Sequence, residues 1–518
     1  MSPVEDPAPE EAPARAPREI TLVGVVAVVV GILLRFASRS PMWLDEALTV
    51  NIASLPLGSI PEALRHDGHP PLYYVLLHGW MELFGTSNLA VRSLSGLFGV
   101  LALPVAFVIG RRRGGMVLAW LTTAVVALSP FAIRYSDEAR MYSLVMLLVL
   151  IGMVLLDDIL RLGRSGPWRL GALALTTALL LYTQYWALWI CAAVGLMMIW
   201  RARRPSPARG TALRVILALL AGLVLFLPWI PTMLYQSAHT ATPWADAMRP
   251  TAAVSWTLCV FTFGDYADAA IFASVMVALI ALALVGRARS TRSIELALPV
   301  RPQFLPEAVV VLLVLAISTV TSVVADAAYA PRYAAVYFPL VALLVAGGIS
   351  RFISRPGRLL VALVVLLPML AGGVLSARES RSQSGQIAAA IRDTGMPGDV
   401  VIYCPDQLGP SVSRELGKSA FVQRSYPEGD PRFVDWVDYR ARNDAADPRS
   451  FAQAVLAEAD ATGASAIYLV WNGEYRTFDG DCEAIAGVLG ASLAGSVVVE
   501  GDGATHFENA TLIRYRAR

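Results

Sequence analysis

Long apolar runs separated by short polar loops fill the chain from residue 20 to residue 376. They lie at 20–36, 89–110, 115–133, 141–158, 168–183, 187–200, 212–231, 269–286, 306–325, 334–350 and 359–376. Each reaches or approaches the roughly 18 to 20 residues that a helix needs to cross a bilayer. The pattern predicts a polytopic α-helical membrane protein with about 11 spans. Its least distinct boundary is T-Q-Y-W at 183–186. Residues 1–19 are rich in Pro, Ala and Glu, cannot build a core and are expected to be disordered. The acidic start, and the lack of an A-x-A after the first run, favour an uncleaved first span over a signal peptide.

After Ser376 the periodicity changes. Short apolar stretches at 399–404, 465–471, 495–500 and 508–515 read as strands. Segments near 384–394, 408–417, 450–461 and 481–490 read as helices. Strands alternating with helices predict a small α/β domain over 377–518, with no Gly-rich phosphate loop.

Composition agrees with a membrane body at 20–376. Of 518 residues, 56% are hydrophobic and 16% charged, with a mean hydropathy of +0.57. Soluble domains carry closer to about 25% charged residues. A net charge of +2 gives no reason to expect a nucleic-acid partner. The placement of arginine says more. R-R-R at 111–113, Arg161 with Arg164, R-A-R-R at 201–204, R-A-R at 287–289, and Arg351 with Arg355 and Arg358 fall in alternate loops. The positive-inside rule puts those loops and the N-terminus in the cytoplasm. The loops 37–88, 134–140, 232–268 and 326–333, and everything after the last span, are then extracytoplasmic, in a multi-pass protein of the plasma membrane. Cys191 and Cys259 lie in or near apolar runs. Cys404 and Cys482 lie in the polar C-terminal region, where spacing alone leaves their pairing open.

The expected outer face gathers unusual chemistry. P-M-W-L-D-E-A-L sets Asp45 and Glu46 side by side just beyond the first span. Their alternative role is to cap a juxtamembrane helix. L-P-L-G-S-I-P-E-A-L-R then reads as an amphipathic helix lying in the interface. H-D-G-H-P-P-L-Y-Y offers His69 and Tyr73 to a polar cavity, and its H-x-x-H is a weak metal signal. R-Y-S-D-E-A-R-M-Y packs Glu138, Arg140 and Tyr142 into one short loop. Y-A-P-R-Y adds Arg332 and Tyr333. An arginine on the Arg-poor side has a reason to be there if it holds an anion, and guanidinium forks suit phosphate oxygens. A carboxylate that takes a proton from a hydroxyl, beside cations that steady a departing phosphate, suits group transfer from a phosphate-activated lipid.

L-D-E-A, H-P-P-L-Y-Y, F-G-T-S-N-L-A-V-R, S-P-F-A-I-R-Y-S-D-E-A-R-M-Y-S-L and P-R-Y, in that order over about residues 20–350, resemble the GT-C glycosyltransferases. The similarity is to the group that includes protein O-mannosyltransferase-like, aminoarabinose transferase-like and bacterial mannosyltransferase-like proteins. The resemblance implies inverting transfer of a sugar from a polyprenyl-phosphate donor to a glycan, lipid or protein acceptor on the outer face. It implies Asp45, with Glu46 beside it, as the catalytic acids. It implies that Glu138, Arg140 and Tyr142 match the second polar motif, where Asp137 stands in place of the usual Gln. On this reading Arg140, Arg332 and Tyr333 bind the donor phosphate, and His69, Tyr73, Glu138 and Tyr142 bind substrate. The sugar, the acceptor and any divalent metal stay open, and no metal ligand is assigned. The competing readings are a flippase or transporter of a lipid-linked saccharide, and an inactive scaffold. A transporter would carry ionisable groups at mid-membrane, and the spans are nearly free of them.

Overall fold

The computed structural model describes residues 16–240, 249–264, 268–297, 302–325, 329–417, 420–478 and 480–516. Most of the expected disordered N-terminus, and parts of the loops expected at 232–268 and 326–333, lie outside the described residues.

All eleven apolar runs fall in helices. Asn88–Leu128, Tyr142–Leu160, Ala208–His239, Leu305–Ser322 and Arg355–Arg378 are long and apolar enough to cross a membrane. Ala187–Ala202, Pro250–Thr262, Ala269–Val285 and Phe338–Ile349 are shorter and apolar. Pro250–Thr262 is a difference from the sequence reading, which places it inside a loop. Its Phe261 is buried against Phe131 and Phe338, at ring-centroid distances of 4.9 and 5.0 Å.

Small residues set the close helix contacts. The first helix, Arg18–Leu34, buries Ile20, Gly24, Ala27 and Gly31 along one stripe. A Cβ at Gly31 would meet the carbonyl oxygen of Ala127 at 2.5 Å, so only glycine admits that approach. Asn88–Leu128 is two helices joined at Gly114 and Gly115, and Gly115 has φ +71°. The chain reverses there, which is why one apolar stretch supplies two antiparallel spans.

After Arg378 a strand, Ser380–Ser382, pairs in parallel with His506–Glu508. A five-stranded sheet follows in the order Val422–Ser425, Val400–Cys404, Ile467–Trp471, Thr511–Arg516, Ala494–Val499. The first three strands are parallel, and Thr511–Arg516 is antiparallel to both of its neighbours. Val400–Cys404 is buried throughout, as a central strand covered on both faces is. The helices Ser384–Thr394, Gly409–Leu416, Pro448–Thr462 and Asp481–Ser492 match the expected segments. Val422–Ser425 was not expected as a strand, because V-Q-R-S has a single apolar residue. Cys404 and Cys482 form a disulfide, which settles the pairing that spacing left open.

Candidate active site

The chain leaves the first helix at Arg35, whose guanidinium is buried. It donates to the carbonyls of Gly31, Ala127 and Val126 at 2.7, 2.8 and 2.8 Å, which fixes the exit of the chain. A short extended stretch ends at Trp43, and the helix Leu44–Ala53 begins. Asp45 and Glu46 stand in its first turn, where the helix dipole favours negative charge. Neither residue caps the helix, and no side chain at the N-cap position does so. The buried N–H of Leu44 instead donates to Glu508 Oε2, 2.6 Å away and 464 residues later in the sequence. Trp43 packs edge-on against Phe507 beside it.

Successive residues on a helix point about 100° apart, and the two carboxylates have different fates. Glu46 is fully buried and held bidentately by Arg92, Nε to Oε1 at 2.7 Å and Nη2 to Oε2 at 2.6 Å. The amide of Ala139 adds a third bond at 2.9 Å. Burial alone pushes this carboxyl up, but Arg92, Arg381 and the amide outweigh burial and hold it below the usual range. Asp45 keeps 18% of its side chain exposed. Arg332 Nη1 donates to its Oδ2 at 3.2 Å, and Arg140 Nη2 lies 3.8 Å away.

Arg140 is the hub. It donates to Thr49 Oγ1 at 2.7 Å and, through Nη2, to His69 Nε2 at 2.9 Å. Since a guanidinium only donates, His69 Nε2 accepts, and the ring proton sits on Nδ1, facing Asp67 Oδ2 at 2.8 Å. The Tyr74 hydroxyl donates to the same Asp67 oxygen at 2.7 Å. Burial pushes Asp67 up, and His69, Arg140 and Tyr74 together bring it below its ordinary value. The local sequence builds this placement. The helix Ile60–Asp67 ends on Gly68 in the left-handed region (φ +86°), and Leu72–Phe84 starts just after the Pro pair. The expected interfacial helix is this one, and it buries Ile60 and Leu64.

Arg332 lies in the turn Pro331–Val336, with its charge next to Tyr142, Asp45 and Tyr333. The Tyr333 ring stacks on Trp186 with centroids 4.5 Å apart. Tyr142 is buried, and among the described residues its hydroxyl meets no hydrogen-bond partner. Tyr73 stands behind the site. Its hydroxyl is 2.7 Å from Ser95 Oγ, which donates to the Arg140 carbonyl at 2.9 Å.

Beneath Asp45 lies a second layer of charge. Arg381, from the strand after the last membrane helix, is fully buried and donates to the Asp137 carbonyl at 2.8 Å. It lies 3.8 Å from Glu46 and 3.9 Å from Glu138. Both carboxylate oxygens of Glu138 are buried without a hydrogen bond among the described residues, and burial pushes its carboxyl up against the pull of Arg381 and Arg134. Burial likewise pushes Asp137 up to about 7, with Arg381 and Arg92 opposing.

Of the residues picked from sequence, Asp45, His69, Arg140 and Arg332 converge, with Tyr142 and Tyr333 beside Arg332. Glu46 and Glu138 lie in the buried layer, and Tyr73 supports Arg140 from behind. The two histidines of H-x-x-H do not converge: His66 faces Asp435 at 2.9 Å, while His69 faces Asp67. Among the described residues no three His, Cys, Asp or Glu side chains gather in a metal-binding group. Sequence reasoning passed over Asp67 and Arg92, although both stand inside the quoted motifs. It passed over Arg381, Glu508 and Trp186, which carry no local signal.

No family model matches the sequence, and no curated protein matches it. Solved structures do match. ArnT from Cupriavidus metallidurans in the apo state aligns with TM-score 0.63 and 12% identity, over 95% of this chain and 97% of that one. The same protein bound to undecaprenyl phosphate aligns with TM-score 0.57 and 13% identity, over the same shares. The arabinofuranosyltransferase AftD from Mycobacteria aligns with TM-score 0.51 and 16% identity, over 98% of this chain and 42% of that one. These proteins are GT-C glycosyltransferases.

The chain has the GT-C fold. The motif series pointed to this fold over about residues 20–350, and the structural likeness is wider. At 95% coverage of the chain, the GT-C match takes in most of the region after Arg378 as well. Arg381 and Glu508 of that region reach the helix that carries Asp45.

Proposed function

We propose that the chain is a membrane glycosyltransferase that moves a sugar from a polyprenyl-phosphate donor to a lipid, glycan or protein acceptor. The observation that carries this reading is a partly exposed carboxylate, Asp45, facing two arginines, Arg332 and Arg140, in a chain with the GT-C fold. The solved ArnT structure with undecaprenyl phosphate supports a donor of that class.

In the proposed reaction Asp45 accepts the proton of the acceptor hydroxyl. The freed oxygen forms a bond to the anomeric carbon from the face opposite the phosphate. The bond from that carbon to the phosphate oxygen breaks, and polyprenyl phosphate leaves with the electron pair. Arg332 and Arg140 steady the charge that grows on the phosphate, where fixed guanidinium groups act strongly because water is largely excluded. His69, held by Asp67, keeps Arg140 in place, and Tyr142 and Tyr333 line the phosphate side. Glu46, saturated by Arg92, positions the helix of Asp45 and takes no proton. Glu138 shapes the floor of the site.

The membrane body at 20–376 and the α/β region at 377–518 work as one unit in this proposal. The chemistry takes place on the extracytoplasmic face. The Cys404–Cys482 disulfide supports that placement, since disulfides persist in oxidising compartments.

The test is sugar transfer by membranes containing the wild type or Asp45→Asn, supplied with a panel of polyprenyl-phosphate sugars. Transfer of one sugar by the wild type, and its loss in the equally expressed variant, is the expected result. Equal behaviour with every donor would reject the reading.

A further inference from the structure

A cavity of about 950 Å³ lies away from Asp45. It opens among the helices Tyr142–Leu160, Pro167–Thr183, Ala187–Ala202 and Leu305–Ala325. Its position follows from one helix. Tyr142 begins beside Arg140, and Asp157 and Arg161, which line the cavity rim, stand at the other end of the same 19-residue helix. At 1.5 Å per residue the rim is about 22 to 28 Å from the candidate active site. It therefore belongs to the opposite face of the membrane body.

The interior is lined by Leu, Val, Ile and Met side chains, and the rim is polar. The rim carboxylates are already engaged. Asp157 lies 2.9 Å from Arg113 and 3.2 Å from Arg161, and Glu307 is tied to Arg113. Two rim arginines remain. Arg201 and Arg204 pair with no carboxylate among the described residues, and Arg204 lies 4.0 Å over the Trp200 ring. Trp200 is 55% exposed, as an aromatic at the membrane–water boundary is. Met197 and Arg201, four residues apart, share one face of the helix Ala187–Ala202, and Arg204 follows just past its end. An apolar volume with unmatched guanidinium groups at its headgroup-level mouth calls for a ligand with a long apolar body and an anionic end. Basic pockets between spans on the arginine-rich side of a membrane take anionic lipid headgroups in this way.

We propose that this cavity is a binding site for an anionic glycerophospholipid of the leaflet remote from Asp45. The acyl chains fill the cavity and the phosphate rests on Arg201 and Arg204. The phosphate of the sugar donor does not suit this mouth, because the proposed chemistry holds it at the far end of the same helix.

The experiment uses the purified full-length chain in detergent and native mass spectrometry, with dioleoyl phosphatidylglycerol and dioleoyl phosphatidylcholine as probes. Saturable binding of phosphatidylglycerol, well ahead of phosphatidylcholine, is expected. The double variant Arg201→Gln/Arg204→Gln is expected to weaken phosphatidylglycerol binding roughly 30-fold, the worth of two basic side chains near an anionic headgroup. Gly152→Leu is a second probe. A Cβ at Gly152 meets nothing closer than Thr176 Cγ2 at 4.0 Å, so the new side chain enters open space and displaces acyl chain without disturbing the fold. It is expected to reduce binding as well. Equal binding of the two lipids, or unchanged phosphatidylglycerol affinity in both variants, overturns the proposal. Undecaprenyl phosphate that displaces phosphatidylglycerol at equal concentration also overturns it, in favour of an isoprenoid chain. No readout depends on sugar transfer, so this test and the test of the proposed function fail separately.

Discussion

The helix Tyr142–Leu160 has a charge cluster at each end, and the two differ in their access to water. At its start, Arg140 and Arg332 approach Asp45, whose side chain is partly exposed. At its finish, Arg113 holds the carboxylates of Asp157 and Glu307, Arg161 adds to Asp157, and both carboxylates are buried. The second cluster ties three helices together. A carboxylate that water can reach, beside two guanidinium groups, can bind an anion and move a proton; carboxylates closed off among helices hold those helices in place. The same contrast appears at one-residue spacing, between open Asp45 and locked Glu46.

The comparison breaks most sharply through Asp45. Asp45→Asn is expected to lower the rate of sugar transfer by roughly 10²- to 10⁴-fold, the usual worth of a general base. Glu307→Gln, in the buried cluster at the far end of the helix, is expected to leave that rate unchanged in the same assay. Equal losses in the two variants would remove the distinction.

The next effect is on the donor. Arg332→Ala is expected to weaken donor binding roughly 10- to 100-fold, as the loss of a hydrogen bond to a charged group does. Arg332→Lys should recover part of it. A saturation curve for the donor decides, and an unchanged half-saturation concentration would clear Arg332 of the role.

Glu46 sharpens the contrast through stability. Glu46→Gln leaves Arg92 and Arg381 buried with one negative charge fewer and is expected to cost about 3–5 kcal/mol. Thermal unfolding in detergent reads this loss. A variant as stable as the wild type yet dead in transfer would make Glu46 a reacting group and unite the two carboxylates again.

The smallest effect concerns pH. Burial pushes Glu508 up to about 7, against the bonds from Ser382, Ser411 and Leu44. A carboxyl raised in the folded state keeps its proton there at pH values where the unfolded chain has lost it. The stability this supplies is present below the ordinary carboxyl range and is lost as pH rises towards about 7. Gln at this position cannot ionise. The stability of Glu508→Gln relative to wild type is therefore expected to improve between pH 5 and pH 8, on the order of 2 kcal/mol. Melting temperatures at the two pH values test it, and a constant difference would show that Glu508 does not ionise in that range.

Much of the architecture was legible in the sequence, and specific residues show why. A run such as 141–158 announces a membrane helix because a bilayer leaves the backbone no partner except itself. R-R-R-G-G marks a turn between spans because charge stays at the membrane surface and Gly115 accepts a positive φ. Asp45, Arg140 and Arg332 could be picked out as candidates, since each breaks the composition around it, but their convergence could not. Pro250–Thr262 was missed because its 13 residues fall short of a span and its polar Thr and Ser hide the apolar face.

What the sequence determined by itself was local: which segments are helices, which carry apolar faces, and which short loops concentrate charge. Those properties depend on neighbours in the chain, through helix hydrogen bonding and the transfer of apolar surface from water. Tertiary structure alone decided which of two adjacent carboxylates stays open. Arg92 came to Glu46 across 46 residues, Arg332 to Asp45 across 287, and Glu508 to the start of their helix across 464. Nothing in the local sequence encodes such distances. A buried charge must find its partner wherever packing brings one, because an unpaired charge in a low-dielectric interior is too costly to persist.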